Sequence, residues 1–240
     1  MVQQENSRPE GNTHRYDYHL DGDIMKYYIV RHAQTSANKE GIIQGHLNVP
    51  LSDHGRIQAR LVGEALSQVK IDAVYSSDLD RAKETAMEIA KHHNCKLILD
   101  RRLRELHCGS MQGKTMAQCR ELYREFFEAH KINPGNVPRP GGGESDRDLY
   151  ERVMRAFADI QRQCPGMDVV IVTHGGPIRC LLSYALKGEF DPSLPTVANT
   201  SISVISNDNG KWQVIKANDV SHLEPIGEHE ASSSKDFYRW

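Results

Sequence analysis

The 240-residue chain has no long hydrophobic run, no excess of charge of one sign and no cysteine framework. No apolar stretch approaches the roughly 20 residues that span a bilayer, so the sequence argues against a membrane protein. The formal net charge of −2 provides no general basic surface, so nucleic acid is not an expected partner. Five cysteines, an odd number without a C-x-x-C pair, describe neither a disulfide framework nor a zinc site. These absences favour a cytoplasmic globular protein.

The two ends of the chain differ in composition from its middle. Residues 1–24 are polar and without hydrophobic period, and they are predicted to form a flexible N-terminal extension. They lack the apolar stretch of a signal peptide. Residues 226–240 are predicted to form a flexible C-terminal tail, which leaves one domain over residues 25–225. Because Met25 stands just before the first predicted strand, a second hypothesis is that translation can begin there.

Between these ends, predicted strands alternate with predicted helices. This alternation is typical of an α/β fold, here a three-layer α/β/α sandwich with a mainly parallel central sheet. A helix is predicted over residues 115–130, and residues 77–80 resemble a capping box that places Arg81 in the first turn of a helix. The predicted strands cover residues 27–30, 71–75, 96–99 and 169–172, followed by two closing strands over residues 201–205 and 212–215.

Two histidines follow predicted buried strands. His32 comes after the first strand, and His174 comes after the strand that precedes a glycine-containing helix start. Ligands of open α/β sheets bind at the carboxyl ends of the strands, so we expect both histidines around one crevice. No metal-ligand motif accompanies them.

The residues near these histidines suit phosphate chemistry. Arg31 and Arg81 offer guanidinium groups that match phosphate oxygens, and the helix start at Gly175 offers backbone N–H donors. A neutral imidazole between such cations can attack phosphorus, because the cations disfavour the imidazolium and screen the phosphate charge. A carboxylic acid with a raised pKa could protonate the leaving alkoxide, and Glu105 is the candidate.

The chain resembles the histidine phosphatase superfamily, which has the phosphoglycerate mutase-like fold, over about residues 26–224. The motifs that carry the resemblance are Arg31-His32-Ala33, Asn38, Gln44-Gly45, Pro50-Leu51-Ser52 with Gly55, Ser76-Ser77-Asp78-Leu79 before Arg81 with Thr85, Leu103-Arg104-Glu105 before Gly109 and Gly113, Gly143-Glu144-Ser145, Thr173-His174-Gly175, Asn199 with Ser201-Ile202, and Asn218 with His222-Leu223. Ala33 departs from the family's most familiar form, which has glycine there. Little effect is expected unless that backbone needs a positive φ.

The resemblance implies that His32 is phosphorylated and that water hydrolyses the phosphohistidine, and it implies neither a metal nor an organic cofactor. It also implies that Glu105 donates the proton and that the phosphoryl group is bound by Arg31, Arg81 and His174, assisted by Asn38, Gln44, Gly45 and Gly175. A small phosphorylated metabolite is the expected substrate, and a homodimer is compatible with the sequence. Substrate specificity is expected to lie in the loops of residues 107–143.

Three alternatives remain open at this point. The segment 109–143 is shorter than the insertion of the family's mutases, and Gly143-Glu144-Ser145 resembles the phosphatase branch, so a phosphomonoesterase is favoured over a phosphoglycerate mutase. A non-catalytic phospho-ligand binding module is disfavoured because every matched catalytic position is intact. Cys95 and Arg101 have the C-x5-R spacing of cysteine phosphatases, but the residues between them are predicted to form a strand rather than a glycine-rich cradle.

Overall fold

One six-stranded sheet forms the centre of the structure, a computed structural model that describes residues 25–191 and 193–227. The strands are β1 (Met25–Arg31), β2 (Ala73–Ser76), β3 (Leu97–Leu99), β4 (Val169–Thr173), β5 (Ile202–Asp208) and β6 (Lys211–Asp219). Their order is β3-β2-β4-β1-β5-β6. The first four run parallel to one another, and β5 and β6 are antiparallel to their neighbours. The prediction of a mainly parallel sheet is therefore confirmed, and both closing strands are longer than predicted.

Helices cover both faces of this sheet. They are α1 (Ser36–Lys39), α2 (Asp53–Leu66), α3 (Asp80–Ala90), α4 (Met116–Leu122), α5 (Arg124–Ile132), α6 (Asp146–Gln163) and α7 (Gly175–Lys187), with 3-10 segments at Arg101–Leu103, Gly109–Met111 and Ser221–Ile226. Ser52 caps α2 by accepting from the amide of Gly55, and Ser145 caps α6 through a capping box with Asp148. Gly188, in the left-handed conformation that glycine adopts without strain, ends α7.

The alternation of side chains along β1 divides the interior into two cores. Tyr27 and Ile29 pack with α6 and α7 on one face, while Tyr28 and Val30 pack with α2 and α3 on the other. Phe157 of α6 is 1% exposed and meets Tyr27 edge to face, with ring centroids 5.0 Å apart. Truncating such a side chain to alanine costs about 3–5 kcal/mol. The three-layer sandwich predicted from the sequence is confirmed.

Two local predictions were wrong. The helix predicted over residues 115–130 is two helices, α4 and α5, because Tyr123 between them has φ −124° and ψ 43°. The capping box predicted at residues 77–80 does not form. Leu79 is the N-cap of α3 and provides no side-chain cap, while the Ser77 hydroxyl accepts from the amide of Leu79 at 3.3 Å. Arg81 nevertheless lies in the first turn of α3, as expected.

The sheet register brings the chain segments of the site together. Arg31, the last residue of β1, pairs with Thr173, the last residue of β4, in parallel register. His32 and His174 therefore leave the sheet side by side at its carboxyl edge. The termini that were predicted to be flexible, except for residues 226 and 227, lie outside the described residues. Within the described ranges, no helix has the length and apolar character needed to cross a membrane.

Candidate active site

The two histidines predicted to share a crevice lie in contact distance at the carboxyl edge of the sheet. Both are buried, and their ring centroids are 5.0 Å apart with the planes inclined by 56°. The amide of His32 donates to the carbonyl of Thr173 at 2.9 Å, which ties the first loop to the end of β4. The parallel register of β1 and β4 thus fixes the separation of the two imidazoles.

The hydrogen bond made by the His32 ring determines which nitrogen is available for chemistry. Its Nδ1 lies 2.8 Å from the carbonyl oxygen of Ala33. Because a carbonyl oxygen can only accept, Nδ1 carries the hydrogen. Burial, together with the charges of Arg81 and Arg31, holds the pKa of His32 well below its ordinary value. The ring is therefore neutral, and Nε2 carries an unprotonated lone pair.

His174 is also neutral, but with the opposite tautomer. Its Nδ1 accepts from Nε of Arg81 at 3.3 Å, and its Nε2 lies 2.9 Å from the hydroxyl of Ser77. Since Nδ1 is an acceptor, Nε2 carries the hydrogen and donates it to Ser77. Burial, and then the charge of Arg81, lowers the pKa of His174 well below its ordinary value. Ser77 is a site residue that the sequence reasoning missed, because its position was interpreted as part of a capping box.

Two guanidinium groups beside the histidines are held by backbone carbonyls. Arg81, which is 1% exposed, donates from its terminal nitrogens to the carbonyls of Leu47 and Gly45, both at 2.8 Å. Arg31 is also buried and donates to the carbonyl of Val197 at 2.5 Å. These bonds fix the orientation of the two guanidinium groups. Such a pair favours an anion in the crevice.

The side chain of Glu105, which follows the 3-10 segment Arg101–Leu103, lies against the N-terminus of α7. It is 4% exposed, and its Oε1 accepts from the amide of Leu106 at 2.9 Å and from the amide of Gly176 at 3.1 Å. The sequence predicted that the helix start at Gly175 offers backbone N–H donors. The amide that donates to the Glu105 carboxyl group is that of the next residue, Gly176. The structure brings Glu105 and His174 to the same end of the sheet.

The sequence analysis singled out three further positions, Asn38, Gln44 and Ala33. Oδ1 of Asn38 accepts from the amide of Thr35 at 3.0 Å in the capping box of α1, and Nδ2 of Asn199 approaches it at 3.5 Å. Gln44 is buried, and in the described part of the chain its Oε1 has no hydrogen-bond partner. Ala33 is not among the described non-glycine residues with positive φ, so alanine meets no backbone strain at this position.

Arg152 and Glu144 form a half-buried ion pair beneath the Glu105 segment, and the sequence reasoning did not identify it. Nε of Arg152 donates to Oε1 of Glu144 at 2.7 Å, and the same guanidinium bonds the carbonyl of Glu105 at 3.1 Å. His46 also bonds that carbonyl, through Nε2 at 2.7 Å. No local pattern reveals contacts of this kind, since Arg152 and Glu105 are 47 positions apart in the chain.

The cysteines do not form a phosphate-binding loop. Leu97–Leu99, between Cys95 and Arg101, is strand β3, as the sequence predicted. Burial raises the pKa of the Cys95 thiol, which opposes the thiolate that a cysteine phosphatase requires. Within residues 25–191 and 193–227, no group of three or more His, Cys, Asp or Glu side chains has the arrangement of a metal site.

Comparison with known proteins assigns this arrangement to a family. The family model described as histidine phosphatase superfamily (branch 1) matches residues 27–220, most of the described chain. This protein belongs to the histidine phosphatase superfamily. The resemblance deduced from the sequence motifs is therefore confirmed, and so is the phosphoglycerate mutase-like fold.

Relatives of this histidine phosphatase support a phosphatase reaction. The chain is 43% identical to phosphoglycerate mutase-like protein 4 of Arabidopsis thaliana, over 86% of this chain and 90% of that protein. It is 34% identical to the metal-independent phosphoserine phosphatase of Arabidopsis thaliana, over 88% of each chain. The solved structure of a mycobacterial glucosyl-3-phosphoglycerate phosphatase with VO3 aligns with a TM-score of 0.73 and 30% identity, over 82% of this chain and all of that chain. The family and these relatives support phosphomonoester hydrolysis as the reaction class.

Proposed function

We propose that this protein hydrolyses a phosphomonoester through a phosphohistidine on Nε2 of His32, with Glu105 as the proton donor. The observation that carries the proposal is the hydrogen bond from Nδ1 of His32 to the carbonyl of Ala33. It leaves the Nε2 lone pair available in a neutral ring, and a neutral ring is the nucleophilic form. Arg31, Arg81 and His174 bind the phosphoryl group, and Asn38, Gln44, Gly45 and Gly175 assist.

In the first step, the lone pair on Nε2 of His32 forms a bond to phosphorus while the bond from phosphorus to the ester oxygen breaks. The proton of the Glu105 carboxyl group passes to that oxygen, so an alcohol leaves rather than an alkoxide. The amides of Leu106 and Gly176 donate to Oε1, and the amide of Gly176 also lies 3.4 Å from Oε2, which holds the carboxyl group in place. The positive charges of Arg31 and Arg81 stabilise the equatorial oxygens of the transferring group.

In the second step, water attacks the phosphorus of the phosphohistidine. Glu105, now a carboxylate, takes a proton from this water while the water oxygen forms its bond to phosphorus. The bond from phosphorus to Nε2 breaks, its electron pair returns to the imidazole, and phosphate leaves. Both steps use side chains of this chain alone, and the site returns to its starting state.

The substrate is a small phosphorylated metabolite, and the names of the relatives suggest which chemistry to test first. One is a phosphoserine phosphatase and another acts on glucosyl-3-phosphoglycerate. Both names describe an ester of an alkyl alcohol with a carboxylate nearby. Compounds of this kind should therefore come before aryl phosphates in a search for the physiological substrate.

Phosphate release in EDTA provides the test. We expect the wild-type protein to release phosphate from at least one member of a panel that contains phosphoserine, 3-phosphoglycerate and p-nitrophenyl phosphate. His32→Ala should lower the rate by at least about 10³-fold, since it removes the nucleophile. His92→Ala, a substitution of an exposed histidine beyond α3, serves as the matched control and should retain full activity. Full activity of His32→Ala would exclude the phosphohistidine.

The name of the first Arabidopsis relative, phosphoglycerate mutase-like, supports a second candidate, phosphoryl transfer between the hydroxyls of phosphoglycerate. The two reactions share the phosphohistidine and differ in the acceptor. If the wild-type protein releases no phosphate but interconverts 3- and 2-phosphoglycerate when primed with bisphosphoglycerate, the mutase is correct. Absence of both reactions would leave the phospho-ligand binding module, to be tested by equilibrium binding of the same panel.

A further inference from the structure

The guanidinium of Arg152 lies beneath the chain segment that carries Glu105. On one side it forms a two-pronged ion pair with Glu144, from Nε to Oε1 and from one terminal nitrogen to Oε2, both at 2.7 Å. The side chains are 16% and 21% exposed respectively, so water has limited access to the pair. This geometry matches the planar guanidinium fork and fixes its orientation.

The other side of the same guanidinium bonds the backbone of the Glu105 segment. One terminal nitrogen donates to the carbonyls of Arg102 at 2.6 Å and of Arg104 at 3.0 Å. The second donates to the carbonyl of Glu105 itself at 3.1 Å. With the two bonds to Glu144, all five N–H donors of Arg152 have an acceptor. Three carbonyls within four residues are therefore held by one rigid group.

Glu144 also bonds the backbone on the far side of Glu105. Its Oε2 accepts from the amide of His107 at 2.9 Å, and its own amide donates to the carbonyl of His107 at 2.8 Å. The chain is thus held immediately before, at and after the carboxyl group that donates the proton. Because Arg152 belongs to α6, which packs in the core, the position of Glu105 depends on that helix.

We propose that Arg152 is the positioning residue for proton transfer by Glu105, acting through the backbone of residues 102–105. The proposal rests on the function proposed above. General-acid catalysis requires the donor within hydrogen-bond reach of the leaving oxygen, and a misplacement of about 1 Å can cost about 10²-fold in rate. Lysine at this position keeps the charge but has neither the fork nor the fixed directions needed for five acceptors.

Leaving groups of different basicity separate positioning of the acid from general structural support. An alkyl phosphate such as phosphoserine needs a proton on its leaving oxygen, whereas p-nitrophenolate leaves without one. We expect Arg152→Lys to lower kcat/KM for the alkyl phosphate by about 10- to 10²-fold and for p-nitrophenyl phosphate by less than about threefold. Glu105→Gln should show the same selectivity with a larger loss, of about 10²- to 10⁴-fold.

Two further variants keep the test decisive. Glu144→Gln keeps the shape of the Arg152 partner without its charge. It should lower kcat/KM for the alkyl phosphate more than for p-nitrophenyl phosphate, by less than Arg152→Lys does. This variant provides a test even if Arg152→Lys does not fold. Arg155→Lys, at an exposed position one turn further along α6, should leave both rates unchanged. Suppose that Glu105→Gln lowers kcat/KM selectively for the alkyl phosphate, but Arg152→Lys and Glu144→Gln lower it equally for both substrates. That result would show that Arg152 only supports the fold. An unselective loss in Glu105→Gln would instead refute the assignment of the acid, and the positioning role with it.

Discussion

The amide of Gly176 donates to Oε1 of Glu105 at 3.1 Å, so the first turn of α7 holds the carboxyl group that we propose as the acid. Space, and not conformational freedom, explains why glycine occupies this position. A Cβ atom on Gly176 would lie 2.4 Å from Oε1 of Glu105 and 2.9 Å from Cδ2 of Leu149. Both distances are too short for the present arrangement to survive, so both side chains would have to shift.

Gly176→Ala is therefore expected to displace Glu105 and to lower kcat/KM for an alkyl phosphate by about 10²-fold. The loss for p-nitrophenyl phosphate should be smaller, because that leaving group does not need the acid. Gly188→Ala at the other end of α7 is the matched control. It forces alanine to φ +76° and costs roughly 1–2 kcal/mol of stability, with unchanged kinetic constants. Wild-type activity of Gly176→Ala would contradict this account of the acid.

Ser77 is expected to act through His174. Ser77→Ala removes the acceptor of Nε2–H on a fully buried ring, which costs about 1–3 kcal/mol of stability and leaves the ring held through Nδ1 alone. We expect kcat/KM to fall by about tenfold for aryl and alkyl phosphates alike, since both need the phosphoryl site.

The neighbouring Ser76 provides the control for this substitution. It is buried to the same extent, and its hydroxyl donates to the carbonyl of Ser77 at 2.8 Å without contacting His174. Ser76→Ala should therefore lower the unfolding midpoint in urea with little change in kcat/KM. Equal kinetic losses in the two variants would mean that the Ser77 contact contributes nothing specific to the site.

Local sequence patterns were sufficient to predict the sheet and the residues at its edge. The continuous β-branched and aromatic run Tyr27 to Val30 marks a strand buried on both faces, and the polar residues that follow it must lie at the strand's end. The same reasoning applies to His174 after β4. Strand ends of a parallel sheet meet at one edge, so the pairing of His32 with His174 followed from topology.

The contacts that hold the site could not be predicted in this way, because each joins residues that are distant in the chain. Ser77 and His174 are 97 positions apart, and Glu105 and Gly176 are 71 positions apart. Their partners are set by how the layers pack. The capping box predicted at residues 77–80 shows the same limit: the local pattern is present, but the amide of Asp80 donates to Oδ1 of the distant Asn48, and the Ser77 hydroxyl contacts His174.

Cys95→Ser tests the cysteine-phosphatase hypothesis directly. Burial, and then the charge of Asp72, raises the pKa of this thiol, so the thiolate is disfavoured at neutral pH. The residue also precedes a strand, where no loop of amides can surround a phosphate. We expect kcat/KM for p-nitrophenyl phosphate to stay within about twofold of the wild-type value. A loss of the size expected for His32→Ala would transfer the role of nucleophile to Cys95.

The lowered pKa values of the buried histidines should make the fold sensitive to mild acid. Burial is the largest cause of the shift for His32, His174 and His46, the last having a pKa of about 4. In the unfolded chain each histidine binds a proton near pH 6.5. Below that pH the unfolded state therefore binds more protons than the folded state, and the free energy of unfolding falls as the pH is lowered.

Each such histidine contributes up to about 1.4 kcal/mol per pH unit between pH 6.5 and its own lowered pKa. Urea denaturation at pH 8, 7, 6.5, 6 and 5.5 measures this slope in a range where carboxylates, with unfolded pKa values near 4, contribute little. His46→Gln, which removes one of these groups at the edge of the site, should reduce the slope. Between pH 8 and 7 the histidine contribution to this slope should be much smaller, because few imidazoles of the unfolded chain carry a proton there. A flat profile from pH 8 to 5.5 would show that the imidazoles take up protons in the folded protein, and a neutral His32 could not then be the nucleophile in mild acid.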